Sequence, residues 1–495
     1  MLPRFCFTTR QILAIHRSSP QTRFSSPLPR PSSFKLSPRL YTSAAYPRGT
    51  MSSSATEPAS ATRINLSPAT DSGVFSAGVR EDTARLTSSL LQDDMEKHHV
   101  FFNDQGFHNH IPHLLLSIYA LGATPEQVEG AYSRNQSYQR PAMPADQGVV
   151  QSMRDVDGFL AGMGKEKNYS NYLAFFQSEI GVKGVGDVLR EYLFAGDERA
   201  ETMLCRLFGG LIHPLIHLSF GLEFNQPAIV AQGLAQTAVH DDWLGRAFFL
   251  PAEKMSAGVG VAGKKSLLEL LNECRADKAL TESVKWADSN KIKDGVMTRA
   301  PEQMIKYAAQ FTVSEDQVEE RLADMINTVV YYTSAAQRPT REMKLDFFFI
   351  HCVNSSIFFS KIINLPYLDQ RSKLRLMEWK GRIDLLMYVS RGSPDLLLDE
   401  VARYPIKEDW PQIFGRAVTH GTDDGHLAKL ARAVAHGQRV CQGVENKHQM
   451  PIHGDMWLRI GNIAVDSTVE EGERGMWVRS TGFDEAWEPQ GRAHM

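Results

Sequence analysis

The stretch LDFFFIHCVNSSIFF (345–359) is apolar on every side, and its reading decides the fold. A helix at a surface carries one apolar stripe, whereas one that is greasy all round belongs inside a core. This stretch is therefore predicted to be a buried central helix. His351, Asn354, Ser355 and Ser356 break the run, which falls short of the roughly 18 continuous apolar residues of a membrane span. Helical periodicity surrounds it. Residues 81–98 set Leu86, Leu90 and Leu91 toward a core, and 111–121 read as a second helix with Pro112 tolerated in its first turn. Thr124-Pro125-Glu126-Gln127 has the pattern of a capping box and opens a third. Residues 135–149 read as loop. Further helices are predicted over 169–194, 201–224, 227–243, 313–333, 372–390 and 396–403. Strand-like alternation is confined to 456–466 and 476–479, read as a small hairpin. The expected fold class is mainly α: a multi-helix globular or solenoid-like bundle with a small C-terminal β-hairpin.

With 42% hydrophobic residues among 495, the chain can bury a large core. A net charge of -3 offers no basic field for nucleic acid, and no segment has the length of a membrane span. Cys6, Cys205, Cys274, Cys352 and Cys441 form no CxxC pair and no disulfide framework, which fits a reducing compartment. Residues 1–56 contain no Asp or Glu but carry Arg4, Arg10, Arg17, Arg23 and Arg30 among many serines. That is the composition of a mitochondrial transit peptide; the competing reading is a disordered leader on a cytoplasmic protein, with Met51 opening a second polar segment. Residues 1–60 are accordingly set apart as a leader, and 61–495 as one helical domain.

Near the C-terminus, DDGHLAKLARAVAHG (423–437) reads as a helix. Asp423 and Asp424 suit its N-terminus, Leu427, Leu430, Ala431 and Val434 form its apolar face, and Gly437 is placed as its C-terminal cap. His426 and Lys429, three apart, are neighbours at the margin of that face, and the simple reading is a rim histidine with a snorkelling lysine. The rest of the chain adds more imidazoles in or beside apolar helices: His108, His110 and His113; His213 and His217; His351. Neutral imidazole is the commonest metal ligand, and helical proteins build metal sites from facing helices. His213 and His217 have the i, i+4 spacing that sets two rings on one helical face, although Pro214 disfavours helical geometry at His213. Taken singly, each histidine reads as a hydrogen-bonded core or surface residue. His351 needs a partner, a metal or a carbonyl, because its surroundings penalise an unpaired imidazole. Carboxylates are scarce: there is no HExxH, and Glu223, Asp241 and Asp242 read as surface groups. GVGVAGKKS (258–266) fits GxGxxG and nearly a P-loop, but no strand precedes it and Lys265 stands where Ser or Thr should. It reads as a flexible glycine loop.

HNHIPHLLLSIYALGATPEQVEGAY (108–132), LIHPLIHLSFGLEF (211–224), FFFIHCVNS (347–355), EWKGRIDLLMYVSRG (378–392) and GHLAKLARA (425–433) follow one another in an order that resembles the questin oxidase-like family of fungal polyketide pathways. The likeness runs from about Arg63 onward. It implies an O2-dependent oxidation that opens an anthraquinone or related ring, by a Baeyer–Villiger-like or dioxygenase cleavage. It also implies one non-haem Fe(II) bound by histidines and by a lysine carboxylated by CO2. Carried over residue by residue, His110, His213, His217, His351 and His426 correspond to family histidines. Lys429 is the chosen lysine and Lys380 its rival; His351 and Lys429 are the catalytic pair. The histidines exceed what one iron with an open position needs, so one is expected outside the coordination sphere, His213 being the candidate because of Pro214. Carboxylation would turn a buried lysine into the oxygen ligand that the Asp and Glu inventory lacks. Tyr138, Phe220 and Phe358 are candidate walls for a planar, hydroxylated substrate. The family's NADPH has no evident dinucleotide site here, so reductant comes from a partner, or iron and substrate supply the electrons. The alternatives are an NADPH-dependent Baeyer–Villiger monooxygenase and a non-enzymatic helical scaffold.

Overall fold

Helices build the chain from Pro58 onward, and the computed structural model describes residues 57–259, 264–446, 448–469 and 475–490. The expected leader, up to residue 56, lies outside the described residues, as do residues 260–263 of the glycine-rich segment. On that segment's described flank, Lys265 pairs with Glu273 at 2.7 Å and Ser266 caps the helix Leu267–Ala276, so both side chains are engaged. Among the described residues there is no strand, only isolated bridges such as Asp346 with Val478.

The first helices stand where the sequence puts them: α1 (Glu81–Lys97), α2 (Ile111–Ala120) and α3 (Pro125–Gln136), the last opened by the reciprocal Thr124–Gln127 capping box. α4 (Tyr169–Leu193) is interrupted at Gly184, where φ is 80. The single helix expected over 201–224 is two, α5 (Glu198–Leu207) and α6 (Gly209–Glu223), bent by 99°. Gly210, Leu211 and Ile212 take left-handed φ values of 49, 58 and 67, and α6 becomes regular only from His213. Pro214 suits that first regular turn, where its missing N–H costs nothing. α7 (Pro227–Val239) and α8 (Val318–Ala335) follow.

The apolar 345–359 run yields a shorter helix than expected, α9 (Phe349–Ser356). Asp346 decides where it starts: one carboxylate oxygen accepts the Phe348 amide at 2.8 Å, the other the Ser480 and Thr481 amides at 2.8 Å each. Beyond it lie α10 (Gln370–Ser390), α11 (His426–Cys441) and α12 (Met456–Ser467). α12 corrects the expected hairpin. Its buried residues run without a break from Ile460 to Val465, with Trp457 one turn before, which is an enclosed helix and not the every-second-residue burial of a half-buried strand. Gly437 is not a cap either. It lies inside α11, where an added Cβ would stand 2.7 Å from Trp457 and 2.9 Å from Ile326. Glu223 is no surface group: it is buried and forms a two-armed pair with Arg432, joining α6 to α11.

The consequence for function is a closed ring of four helices. α2 packs on α6 and α11, and α9 packs on the same two. α8 backs α9 and α11, and α12 covers α11. Because Gly437 is the contact that lets α11 and α12 approach, Gly437→Ala is expected to lower the free energy of unfolding by about 1–3 kcal/mol through overpacking. Urea titration of the two proteins checks this.

Candidate metal centre

Four helix starts meet inside the ring, and each brings a histidine. His110 immediately precedes α2, His213 begins the regular part of α6, His351 lies in the first turn of α9, and His426 opens α11. All four are buried. His110 Nε2 lies 3.0 Å from His213 Nε2, and His426 Nε2 lies 3.2 Å from His351 Nε2. Donor atoms of His110, His213 and His426 fall within 4.8 Å of one another.

Their tautomers follow from what the other ring nitrogen touches. His213 Nδ1 is 2.7 Å from the Gly210 carbonyl and His351 Nδ1 is 2.7 Å from the Phe347 carbonyl. A carbonyl only accepts, so each Nδ1 carries the hydrogen and each Nε2 presents a bare lone pair. His426 Nδ1 donates to Asp424 Oδ1 at 2.5 Å, so the neutral ring likewise presents a bare Nε2. Two such lone pairs 3.2 Å apart repel unless a cation lies between them. Three of the four rings are poor holders of a proton. Burial above all, then Lys429 and the neighbouring rings, push His110, His213 and His351 well below the ordinary histidine range. A metal suits better: cis nitrogen ligands on bonds of about 2.1 Å stand about 3 Å apart. The donor set therefore fits a metal ion.

Lys429 lies close enough to these rings to act on their charge. One turn along α11 from His426, it is buried and its Nζ has no hydrogen-bond partner. Burial brings its pKa down to about 8 against the opposing carboxylates of Asp424 and Asp423. Lys380, the rival, is also buried, but its Nζ is held by Asp384 at 2.6 Å. His217 turns away from the other four: its Nδ1 is 3.2 Å from His113 Nε2 and its Nε2 3.4 Å from Gln232. Of the i, i+4 pair, His213 is thus the residue brought into the cluster and His217 the one behind it. The sequence reading gave His113 no part in the site and Asp424 only a place at a helix end. The three-residue step from His110 to His113 in HNHIPH was the available signal for the first. His108 stacks on His213 at 4.0 Å and meets His240 at 2.8 Å, widening the histidine network.

Phe220 packs on His113 at 5.1 Å and on Phe358 at 4.8 Å, so both line the deep side. The cluster reaches solvent through Asp424, whose side chain is 38% exposed. Tyr138 lies on that side, and burial, then the carboxylates of Asp424 and Asp423, raise its phenol pKa. A cavity of about 320 Å³ lined by Glu320, Asp324, Asn327 and His448 contains no histidine of the cluster.

A helical ring around buried imidazoles and one unpartnered amine defines a candidate metalloenzyme site. Residues 107–434 match the family described as Questin oxidase-like. A Baeyer–Villiger oxidase of Pestalotiopsis microspora is 38% identical over 419 residues, spanning 82% of this chain and 93% of that protein. A questin oxidase of Aspergillus terreus is 38% identical over 440 residues, 87% of this chain and 98% of that one. A Baeyer–Villiger monooxygenase of a Cryptosporiopsis species is 36% identical over 439 residues, 86% and 98% respectively. The chain belongs to the questin oxidase-like family and is an oxidoreductase.

Buried histidines outside the cluster make stability depend on pH. His436, 2.8 Å from the Ser360 hydroxyl, is brought down to about 3 by burial and then by Arg432 and Arg439. His99 is brought down to about 4 by burial and then by Arg140. Since both folded values lie below the unfolded one of about 6.5, the unfolded chain takes up protons first as pH falls. Their stabilisation is present above about pH 6.5 and is lost on acidification toward those folded values, by at most about 1.4 kcal/mol per pH unit for each histidine. Urea midpoints measured from pH 7 to pH 5 are expected to fall, and to fall less steeply in His436→Gln.

Proposed function

We propose that this protein is an O2-dependent oxygenase that cleaves a ring of a planar polyketide aromatic, an anthraquinone or a close relative, in fungal-type secondary metabolism. We further propose that it uses one Fe(II) held by His110, His213, His351 and His426 with a carboxylated Lys429. The observation that supports the metal is the convergence of four buried histidine Nε2 atoms, His110 with His213 at 3.0 Å and His351 with His426 at 3.2 Å. The relatives named questin oxidase and Baeyer–Villiger oxidase support the reaction class.

In this reading each residue has a physical task. The Gly210 and Phe347 carbonyls and the Asp424 carboxylate orient three rings and keep their Nε2 lone pairs free. His217, bonded to Gln232, steadies His113 behind the site. Lys429, with its lowered pKa, reaches the neutral state in which an amine adds to CO2 and releases a proton. The resulting carbamate is an anionic oxygen donor, and imidazole with one such oxygen suits Fe(II). Bound iron would supply an open position for O2. Phe220 and Phe358 exclude water from the deep side.

Metal analysis of anaerobically purified protein tests the site. Near-stoichiometric iron is expected, lost in His351→Ala and Lys429→Ala but retained in Lys380→Met. Asp424→Asn is expected to weaken iron binding by roughly 10–100-fold, the usual effect of losing such a supporting carboxylate. NMR with isotope-labelled bicarbonate is expected to show a carbamate signal that disappears in Lys429→Ala. Wild-type protein without transition metal after Fe(II) reconstitution overturns the iron site. Stoichiometric consumption of NADPH during turnover would favour the monooxygenase alternative.

A further inference from the structure

One cation at the rim of the histidine site has no part in the metal chemistry. Arg479 holds its guanidinium carbon 4.0 Å from the ring centre of Phe347. Phe347 itself leans on the site, its ring 5.0 Å from His351 and 5.1 Å from His426. A single aromatic ring thus separates Arg479 from two of the converging histidines. The backbone around Arg479 is pinned. Val478 exchanges hydrogen bonds with Phe347 and Leu345 at 2.8 and 3.0 Å, and Asp346 accepts the Ser480 and Thr481 amides.

That pinning leaves the guanidinium available. Both oxygens of Asp346 are committed to amides and Asp424 Oδ1 to His426, and among the described residues no carboxylate forms an ion pair with Arg479. Its side chain is exposed, yet enough protein surrounds it for burial to lower its pKa, with Asp346 and Asp424 opposing. An arginine remains charged under such a shift. Tyr138, 43% exposed, lies on the same Asp424 side with its ring edge-on to Phe102 at 5.2 Å. The rim therefore combines aromatic faces with one planar fork of donors. Aromatic faces and a guanidinium plane stack on flat rings, and the fork matches a phenolate or carboxylate.

We propose that Arg479 is a specificity-determining residue that anchors an acidic oxygen, phenolate or carboxylate, of a planar polycyclic aromatic at the rim formed with Phe347 and Tyr138. This rests on the aromatic substrate class proposed above and adds the ionised oxygen as the feature selected. Anchoring there turns the ring system toward the histidines while leaving the metal donors untouched.

The test measures binding of alizarin and of its dimethyl ether to wild type, Arg479→Gln and Arg479→Lys, with metal content and melting midpoint recorded for each protein. Arg479→Gln is expected to weaken alizarin by about tenfold or more while leaving the ether within about twofold, with Arg479→Lys recovering part of the loss. Metal content is expected to stay at the wild-type level. Unchanged alizarin affinity, or equal loss of both ligands, overturns the proposal in favour of a purely structural stacking contact. Wild type that binds neither ligand overturns it together with the substrate class, whereas insensitivity of Arg479→Gln to a ligand that wild type binds overturns this inference alone. If Arg479→Gln does not fold, Arg479→Lys carries the comparison. It keeps the charge and loses the fork, so unchanged preference for alizarin over its ether is the overturning result.

Discussion

Three imidazoles whose Nδ1 hydrogens are already committed to acceptors point bare nitrogens into one buried space, and the rest of the fold serves that constraint. The acceptors are the Gly210 and Phe347 carbonyls and the Asp424 carboxylate, each close in sequence to the histidine it holds. Keeping lone pairs together without a proton is unfavourable, and the backbone adds local strain. Leu211 and Ile212 sit in the left-handed region, at roughly 1–2 kcal/mol per residue for side chains with a Cβ. A bound metal can offset this, since structural sites bind zinc with about 10–16 kcal/mol of apparent free energy. On the proposed metal site, loading the ion and folding the chain would be coupled.

The geometry also sets the sign of the field. Helix starts expose unsatisfied N–H groups and the positive end of the dipole, and four of them converge here. Protonated histidine is disfavoured in such a place, while an anionic ligand is favoured. Asp423 answers part of this field by accepting the Leu427 and Ala428 amides at 2.9 and 3.2 Å. A carboxylated Lys429 would answer more of it, converting an unpartnered buried amine into a negative donor facing those ends.

The ring of helices stays in register through polar ties as well as apolar packing. Glu223 and Arg432 join α6 to α11, and Asn354 donates to the His426 carbonyl at 3.4 Å across α9 and α11. Breaking a buried ion pair by removing one member typically costs about 3–5 kcal/mol, so Glu223 and Arg432 hold the two helices in one alignment. Asp346 extends the same logic outward, starting α9 and fastening the C-terminal segment that carries Arg479 to the rim.

By itself the sequence determined the mainly helical class, the capping box at Thr124, the buried character of the helix around His351 and the histidines worth weighing, because periodicity and caps are local. It misread 456–466, where β-branched residues imitated a strand although their burial lacks a strand's alternation. It also took Glu223 for a surface group and Gly437 for a cap, since both depend on what a distant helix presses against them. Only the tertiary structure decided that His213 turns inward while His217 turns to His113, through the left-handed turn that breaks the helix at Ile212. The same holds for the lysines. Lys380 and Lys429 look alike as letters on amphipathic helices, and they differ because packing gives one a carboxylate and leaves the other facing imidazoles.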